Sequence, residues 1–452
     1  MEMKKVYFLL VVGAIILAGC AGDINTSDNS AFEAFSDSLF QTNVDSAYIA
    51  GASVIVYQKG ERLLDKTYGY ANLELAVPMP ENASFEIGSV TKQFTSAAIL
   101  KLVEEGKLSL DDDFTQYLDF DTNGRLITIN SLLNHTSGIP SYTELPEFGD
   151  IMSHRYDRDT LLRLVEQNDF LFEPGEALIY NNSAYFFLGL IIEEISGMSY
   201  EDYLREKFFI PLGMNNTYYS STSKVFPNRA YGYDYTENIL NQKLYLDHTW
   251  PYSAGSLSST ADDLLIWMKA LHERKVLGEK SYDILTTPGC LNDGTRVRYA
   301  MGLVNYMNFG YKEIGHGGGI PGFLSETKYF PDEDLFIICL INTMGPKGAG
   351  YFAEELLWEL LDKHEFDHVE VDIDLNALLG IYTGQSRGQA TSIEVNVQSN
   401  SITISTVGQS KVDTLKIYLG DSTWSDGNSL IKIKNNEYLR DDIYGYIKLK
   451  KE

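Results

Sequence analysis

The sequence predicts an α+β domain followed by a small all-β module, and three observations carry that prediction. Residues 52–72, ASVIVYQKGERLLDKTYGYAN, read as two strands joined at Lys59-Gly60. A helix-rich middle separates this hairpin from strand-like runs at 299–307, 311–316, 324–330 and 335–342, and GYFAEELLWELLDKHE supplies a closing helix. A sheet that draws on both ends of a domain, with helices between, is an α+β arrangement. Beyond about residue 368 come TSIEVNVQ, SITISTV, DTLKIYLG, SLIKIKNN and IYGYIKLKK, short alternating segments with no helix between them. They predict a C-terminal barrel or sandwich.

At the start, MEMKKVYFLLVVGAIILAGC places Lys4 and Lys5 before an apolar run from Val6 to Ala18. The run is short for a membrane span and has the layout of an export signal. Leu17-Ala18-Gly19-Cys20 is similar to a bacterial lipobox, which implies cleavage after residue 19 and lipidation of Cys20, hence an exported, lipid-anchored envelope protein. Residues 20–30 read as a polar tether. SAFEAFSDSLF then sets Phe32, Phe35, Leu39 and Phe40 at helical spacing, with Ser30 and Glu33 as a capping box. The domain expectation is 31–367 for the α+β unit and 368–452 for the β module.

The segment Val90–Glu105 carries apolar residues on nearly every side and stops at Gly106, the pattern of a helix buried in a core. Further helices are expected at 159–167, 183–196 and 199–208. Residues 217–253 are tyrosine-rich and irregular, and SSTADDLLIWMKALHE reads as an amphipathic helix capped by Ser259 or Thr260. The chain holds 36 basic and 63 acidic residues, a net charge of −27. So acidic a surface repels phosphate backbones, which argues against a nucleic-acid partner. After Cys20 only Cys290 and Cys339 remain; Cys339, in LFIICLIN, reads as a core residue.

Ser89 and Lys92 stand at the first turn of the buried helix, three residues apart and therefore on one face. A helix start offers backbone N–H donors and partial positive charge, and burial pushes a lysine toward its neutral, proton-accepting form. The same spacing recurs at Ser221–Lys224, Ser325–Lys328 and Ser429–Lys432, but in loop or strand-like sequence. Alternation in a strand places residues i and i+3 on opposite faces. Tyr180-Asn181-Asn182 and His316-Gly317-Gly318 follow in order, each weak by itself.

Together with FEIGSVTKQFTSAAILKLVEEGKLSLDD, LLNHTSGIPSY, PGEALIYNNSAYFFLG, AGSLSSTADDL and GHGGGIPGF, these segments give a sequence that resembles the serine β-lactamase-related family over about residues 31–365. That group holds class C β-lactamases, D-Ala-D-Ala carboxypeptidases, D-aminopeptidases and esterases. The resemblance implies the penicillin-recognising serine hydrolase fold, a five-stranded antiparallel sheet flanked by helices with an all-helical subdomain. It also implies an acyl-enzyme on Ser89 with Lys92 as proton partner. Tyr180 would be a base of depressed pKa that also protonates the leaving group. Asn182 would bind the substrate amide or the lysine, and the oxyanion would lie on the N–H groups of Ser89 and Gly319, beside Gly318. His316 stands where the family's β-lactamases and carboxypeptidases have a lysine.

An imidazole is mostly uncharged near neutral pH, so the expected substrates are small esters or (D-amino-acid) peptides lacking a carboxylate at that point. Turnover of carboxylate-bearing substrates is expected to rise toward pH 6. D-Ala-D-Ala carboxypeptidase or β-lactamase activity is the alternative, and a non-catalytic binding lipoprotein of the same fold is another. No cofactor or metal is expected. His364-Glu365-x-x-His368 has zinc-protease spacing but lies in acidic sequence at a helix end without a third ligand. His135 reads as a structural turn residue. The β module loosely resembles the lipocalin-like domains of some D-aminopeptidases and related hydrolases.

Overall fold

The computed structural model describes residues 26–452 apart from 222, 364–370, 372, 387–388, 399–400, 416, 426–428 and 443. Its central sheet is antiparallel, in the order Val304–Asn308, Tyr311–Ile320, Phe323–Phe330, Leu335–Ile341, Gly51–Gln58, Glu61–Asn72, Val77–Pro78. The first hairpin lands in the middle of the sheet because Ala52–Gln58 pairs along its length with Leu335–Ile341. Five long strands match the expected sheet, and two short ones extend its edges.

Period-two alternation explains the layering. Val54, Val56, Ile337, Cys339 and Ile341 point to one face, where Phe32, Phe40, Phe352 and Leu356 from the helices Thr26–Asp45 and Ala349–Leu360 cover them. Ile55, Ile338 and Leu340 point to the other, against the helices Thr91–Glu104 and Ala261–His272. With both faces covered, LFIICLI is buried throughout. Cys339 lies in that core, and Cys290 is exposed and unbridged.

The N-terminal helix spans Thr26–Asp45 among the described residues and so includes part of the stretch read as a tether; Ser30 sits within the helix and not at its N-cap. Packing of its apolar face on the sheet outweighs the weak helix propensity of Ser, Asp and Asn. Thr260 caps its helix as expected, accepting from Asp263 N–H. The helical run expected at 199–208 breaks into a short α-helix, Tyr200–Leu204, and a π turn, Arg205–Phe209. His364 and His368 lie outside the described residues. Among the described residues no cluster of three His, Cys, Asp or Glu could hold a metal, and no helix is long and apolar enough to cross a membrane.

The C-terminal strands form one antiparallel sheet running from Val412–Leu415 through Gly380–Ser386 and Gly445–Lys451 to Ile417–Gly420. Its two end strands are neighbours in the chain, so it curls into a nearly closed barrel around Val395, Ile402, Trp424, Ile431 and Leu449. The barrel joins the first unit by strand pairing, Gly445 with Ile179 and Tyr446 with Leu178. A shared apolar cluster contains Leu178, Tyr299, Tyr306 and Tyr446. Arg298 adds an ion pair to Asp441 at 3.1 Å.

The helix Thr91–Glu104 is fixed by Phe94, fully buried and stacked on Trp267 with ring centroids 4.0 Å apart. Phe94→Ala should cost about 3–5 kcal/mol of stability. Urea unfolding followed by circular dichroism will show this as a lower midpoint at unchanged slope; a loss under about 1 kcal/mol contradicts the packing described.

Candidate active site

The strand Tyr311–Ile320 has one open edge near its end. Its outer neighbour pairs no further than Val304 with Gly315, whereas the inner neighbour continues to Ile320. Backbone groups of alternate residues point to the same edge of a strand. Gly317 donates its N–H to the Tyr444 hydroxyl on the open side, so Gly319 N–H faces that side too.

The turn that carries Ser89 packs against this strand at a distance only glycine permits. A Cβ on Gly318 would sit 2.1 Å from Ile87 O and 3.1 Å from Ser89 N. One on Gly88, where φ is +49°, would sit 2.8 Å from Gly319 N. The N–H groups of Ser89 and Gly319 are thereby brought to one place. Ser325 locks the approach by donating its hydroxyl to Ile87 O at 2.8 Å. This serine with the misleading spacing is a brace. Ser221 lies in a loop bonded to Ser223, and Ser429 bonds Asp442.

Lys92 is fully buried. Its Nζ lies 3.1 Å from Ser89 Oγ, 2.8 Å from Asn182 Oδ1 and 2.8 Å from Ala254 O. None of the three is a charged group, and burial holds the lysine pKa well below its ordinary value. A neutral amine has two N–H groups and one lone pair. Asn182 Oδ1 and Ala254 O can only accept and take the two N–H groups, which leaves the lone pair for the Ser89 hydroxyl to donate into. The Asn182 amide is oriented by its own donation to Thr143 Oγ1 at 3.1 Å. Asn182 opens the helix Asn182–Ser196, which the Asn181 side chain caps by accepting from Ala184 N–H.

Tyr180 precedes that helix. Its ring lies 4.7 Å from Lys92 Nζ, and its buried hydroxyl meets no hydrogen-bond partner of good geometry among the described residues. Burial drives its pKa well above the ordinary value, against a smaller downward pull from Ser89. This corrects the expectation of a depressed phenol: the amine meant to supply the positive field is itself held toward neutrality. His135, with φ +63°, accepts from Asn181 N–H through Nδ1 and packs its ring 4.5 Å from that of Tyr180.

His316 is 1 % exposed and lies 3.0 Å from the Tyr299 hydroxyl through Nε2, with Nδ1 on Gly317 O. The carbonyl can only accept, so Nδ1 carries the proton and Nε2 accepts from Tyr299. Burial, with Lys92 adding to it, pushes its pKa down to about 3. The expected gain of charge toward pH 6 is therefore corrected: this imidazole stays neutral.

The structure thus brings Ser89, Lys92, Tyr180, Asn182, His316, Gly318 and Gly319 to one place. Sequence reasoning missed Thr143, Tyr299 and Tyr444. Nothing in their local sequence marks them, since each acts through a contact distant in the chain; Ala254 was at least inside a motif. The tyrosine-rich loop is divided. Tyr219 and Tyr252 pack inward, whereas Tyr231 and Tyr245 help line a cavity of about 960 Å³ with Arg229, Lys243 and Phe323. In that cavity wall Glu86 is buried and paired with Arg229 at 2.7 Å and Lys243 at 2.8 Å.

Comparison with known proteins gives the same frame. Penicillin-binding protein 4* of Bacillus subtilis (strain 168) is 32% identical over 325 residues, 67% of this chain and 70% of that one. Protein flp of Staphylococcus aureus (strain N315) is 28% identical over 316 residues, 68% of this chain but only 62% of its own length. The octameric penicillin-binding protein homologue from Pyrococcus abyssi superposes with a TM-score of 0.65 at 27% identity, covering 93% of this chain and 99% of that one. The Beta-lactamase family model matches residues 36–361, nearly the whole first unit, and the chain accordingly belongs to the beta-lactamase family of serine hydrolases.

Proposed function

We propose that the protein is a cell-envelope hydrolase that forms an acyl-enzyme on Ser89 and acts on small esters or (D-amino-acid) peptides without a carboxylate at the His316 end of the site. The observation that carries this is the buried Lys92 amine, bonded to two obligate acceptors and to Ser89. Lys92 Nζ takes the Ser89 proton as Oγ bonds to the substrate carbonyl carbon. Negative charge on the former carbonyl oxygen is received by the N–H groups of Ser89 and Gly319. As the bond to the leaving group breaks, the protonated Tyr180 hydroxyl gives that group its proton and recovers one from the Lys92 ammonium. Water then enters by the reverse path and releases Ser89. Tyr180 serves here as the acid of the pair, consistent with its raised pKa, and Lys92 as the base.

His316 and Lys92 are both held toward neutrality, so neither supplies the fixed positive charge that would receive a substrate carboxylate. Loss of one such contact costs roughly 1.5–3 kcal/mol, ten- to a hundredfold in affinity. The envelope location rests on the lipobox at Leu17–Cys20, outside the described residues.

Ser89→Ala should abolish hydrolysis of a p-nitrophenyl ester and labelling by a fluorophosphonate probe, and Lys92→Met should lower kcat/KM roughly 10²–10⁴-fold. Ser221→Ala, the control serine, should do neither, and EDTA should leave activity intact. Activity of Ser89→Ala near the native level removes the acyl-enzyme reading.

The site's charge state makes a second test. Lys92 must be neutral to act, so kcat/KM falls as pH is lowered through its depressed pKa. His316, with a pKa near 3, does not charge between pH 8 and 6. For two esters of one acid, one bearing a leaving-group carboxylate, the neutral ester should be preferred about tenfold or more. The ratio of their kcat/KM values should stay level from pH 8 to 6; a severalfold shift toward the carboxylate ester at pH 6 shows His316 gaining charge. For the anchor, Cys20→Ser expressed in a bacterial host should move the protein from the membrane to the soluble fraction. Retention of that variant through a salt wash removes the lipid-anchor reading.

A further inference from the structure

Tyr444 belongs to the barrel, between the strands Glu437–Asp442 and Gly445–Lys451, yet its ring is surrounded by the active site. Ring centroids lie 5.5 Å from Tyr180, 5.2 Å from His316 and 6.3 Å from Tyr299. Anchors on either side hold it there: Asp441 pairs with Arg298, and Gly445 pairs with Ile179, the residue before Tyr180.

A phenol has one O–H to donate and lone pairs to accept with. Tyr444 accepts the N–H of Gly317 at 2.9 Å, and among the described residues no acceptor takes its own O–H. Burial pushes its pKa well up, so that proton is retained. Gly317 brings no side chain of its own to the open edge. A Cβ there would lie 3.3 Å from Tyr444 Oη, so the barrel places a hydroxyl where a side chain of residue 317 would begin.

Gly317 is two residues from Gly319 along the edge, about 7 Å from the site of the oxyanion. It is on the Tyr180 side, where the departing group must meet its proton donor; this step rests on the reading of the site proposed above. From Tyr444's contacts we infer that it is a specificity-determining residue of the hydrolytic site, whose hydroxyl donates to an acceptor on the substrate's leaving group. The nearest ionisable group is Glu326, whose Oε2 would lie 2.9 Å from that same Cβ and whose pKa is pushed up to about 7 by burial, while Lys328 beyond it is paired with Glu313 and Glu354. An acidic neighbour favours a neutral acceptor, so the ligand class is a leaving group with an uncharged carbonyl, an amide or ester, placed next to the scissile bond. The C-terminal module is on this view a wall of the active site.

The test uses the full chain, Tyr444→Phe, and two esters of one acid. The phenyl ester has a leaving group without a carbonyl, whereas the glycolamide ester carries one. The Phe variant keeps the ring and removes only the hydroxyl. Its kcat/KM for the glycolamide ester should fall about tenfold, the value of one hydrogen bond to a neutral group, while the phenyl ester changes by less than about threefold. Fluorophosphonate labelling of Ser89 at the native rate shows that the site remains assembled. Equal losses on both esters overturn the assignment and leave Tyr444 a support for Tyr180; no loss on either overturns it as well. If Ser89→Ala hydrolyses both esters as the native protein does, the nucleophile reading falls first and the Tyr444 assignment with it.

Discussion

The structure depends on one constraint, an amine held in the core without a counter-ion. Among the described residues Lys92 has no carboxylate partner, and its Nζ is met by the oxygens of Asn182, Ala254 and Ser89. Removing an ammonium from water costs several kcal/mol, which is avoided if the group gives up its proton. The same burial that makes the helix Thr91–Glu104 a core element therefore holds Lys92 toward its neutral form, the property that the proposed role as base requires. Three separate parts of the chain must be in place for this to hold, since Asn182 lies 90 residues and Ala254 162 residues from Lys92 in sequence, yet both bond its amine.

Charge elsewhere in the protein is handled differently, and the contrast shows what is particular to the site. Behind the sheet Lys328 is also buried, but Glu313 at 2.7 Å and Glu354 at 2.9 Å keep it ionised. Glu86 is buried too, and His248 and Lys243 outweigh the effect of burial and hold its pKa low. Both are paired charges. Near Ser89 basic side chains are buried without an acid, and there burial holds Lys92 and His316 toward their neutral forms. A chain of strongly negative net charge thus holds, around Ser89, a site in which burial favours neutral side chains, and it is this that the proposed preference for uncharged substrates rests on.

The barrel is tied into this centre through the chain segment that leads to Tyr180. Leu178 and Ile179 form a short strand whose partner is the barrel's last strand, and the next residue is the phenol itself. Whatever fixes the barrel on the first unit also fixes where Tyr180 points. This explains why the joint is apolar and aromatic, with Tyr299, Tyr306 and Tyr446 in one cluster, instead of the polar contact usual between independent domains.

Local signals made much of this legible in advance. The hairpin at Lys59-Gly60, the capped helix at Thr260 and the alternating C-terminal strands follow from period and turn chemistry, which neighbouring residues determine. Ser89 could be chosen over Ser221, Ser325 and Ser429 because only Ser89 begins a helix apolar on almost every side. The sequence alone thus determined most of the strands and long helices, the buried helix and the spacing of Ser89, Lys92, Tyr180 and His316. Tertiary structure decided the raised pKa of Tyr180, the neutrality of His316 and the arrival of Tyr444. Each of these depends on which distant groups surround a side chain and how much water they exclude, and neither quantity is written in the residues next to it.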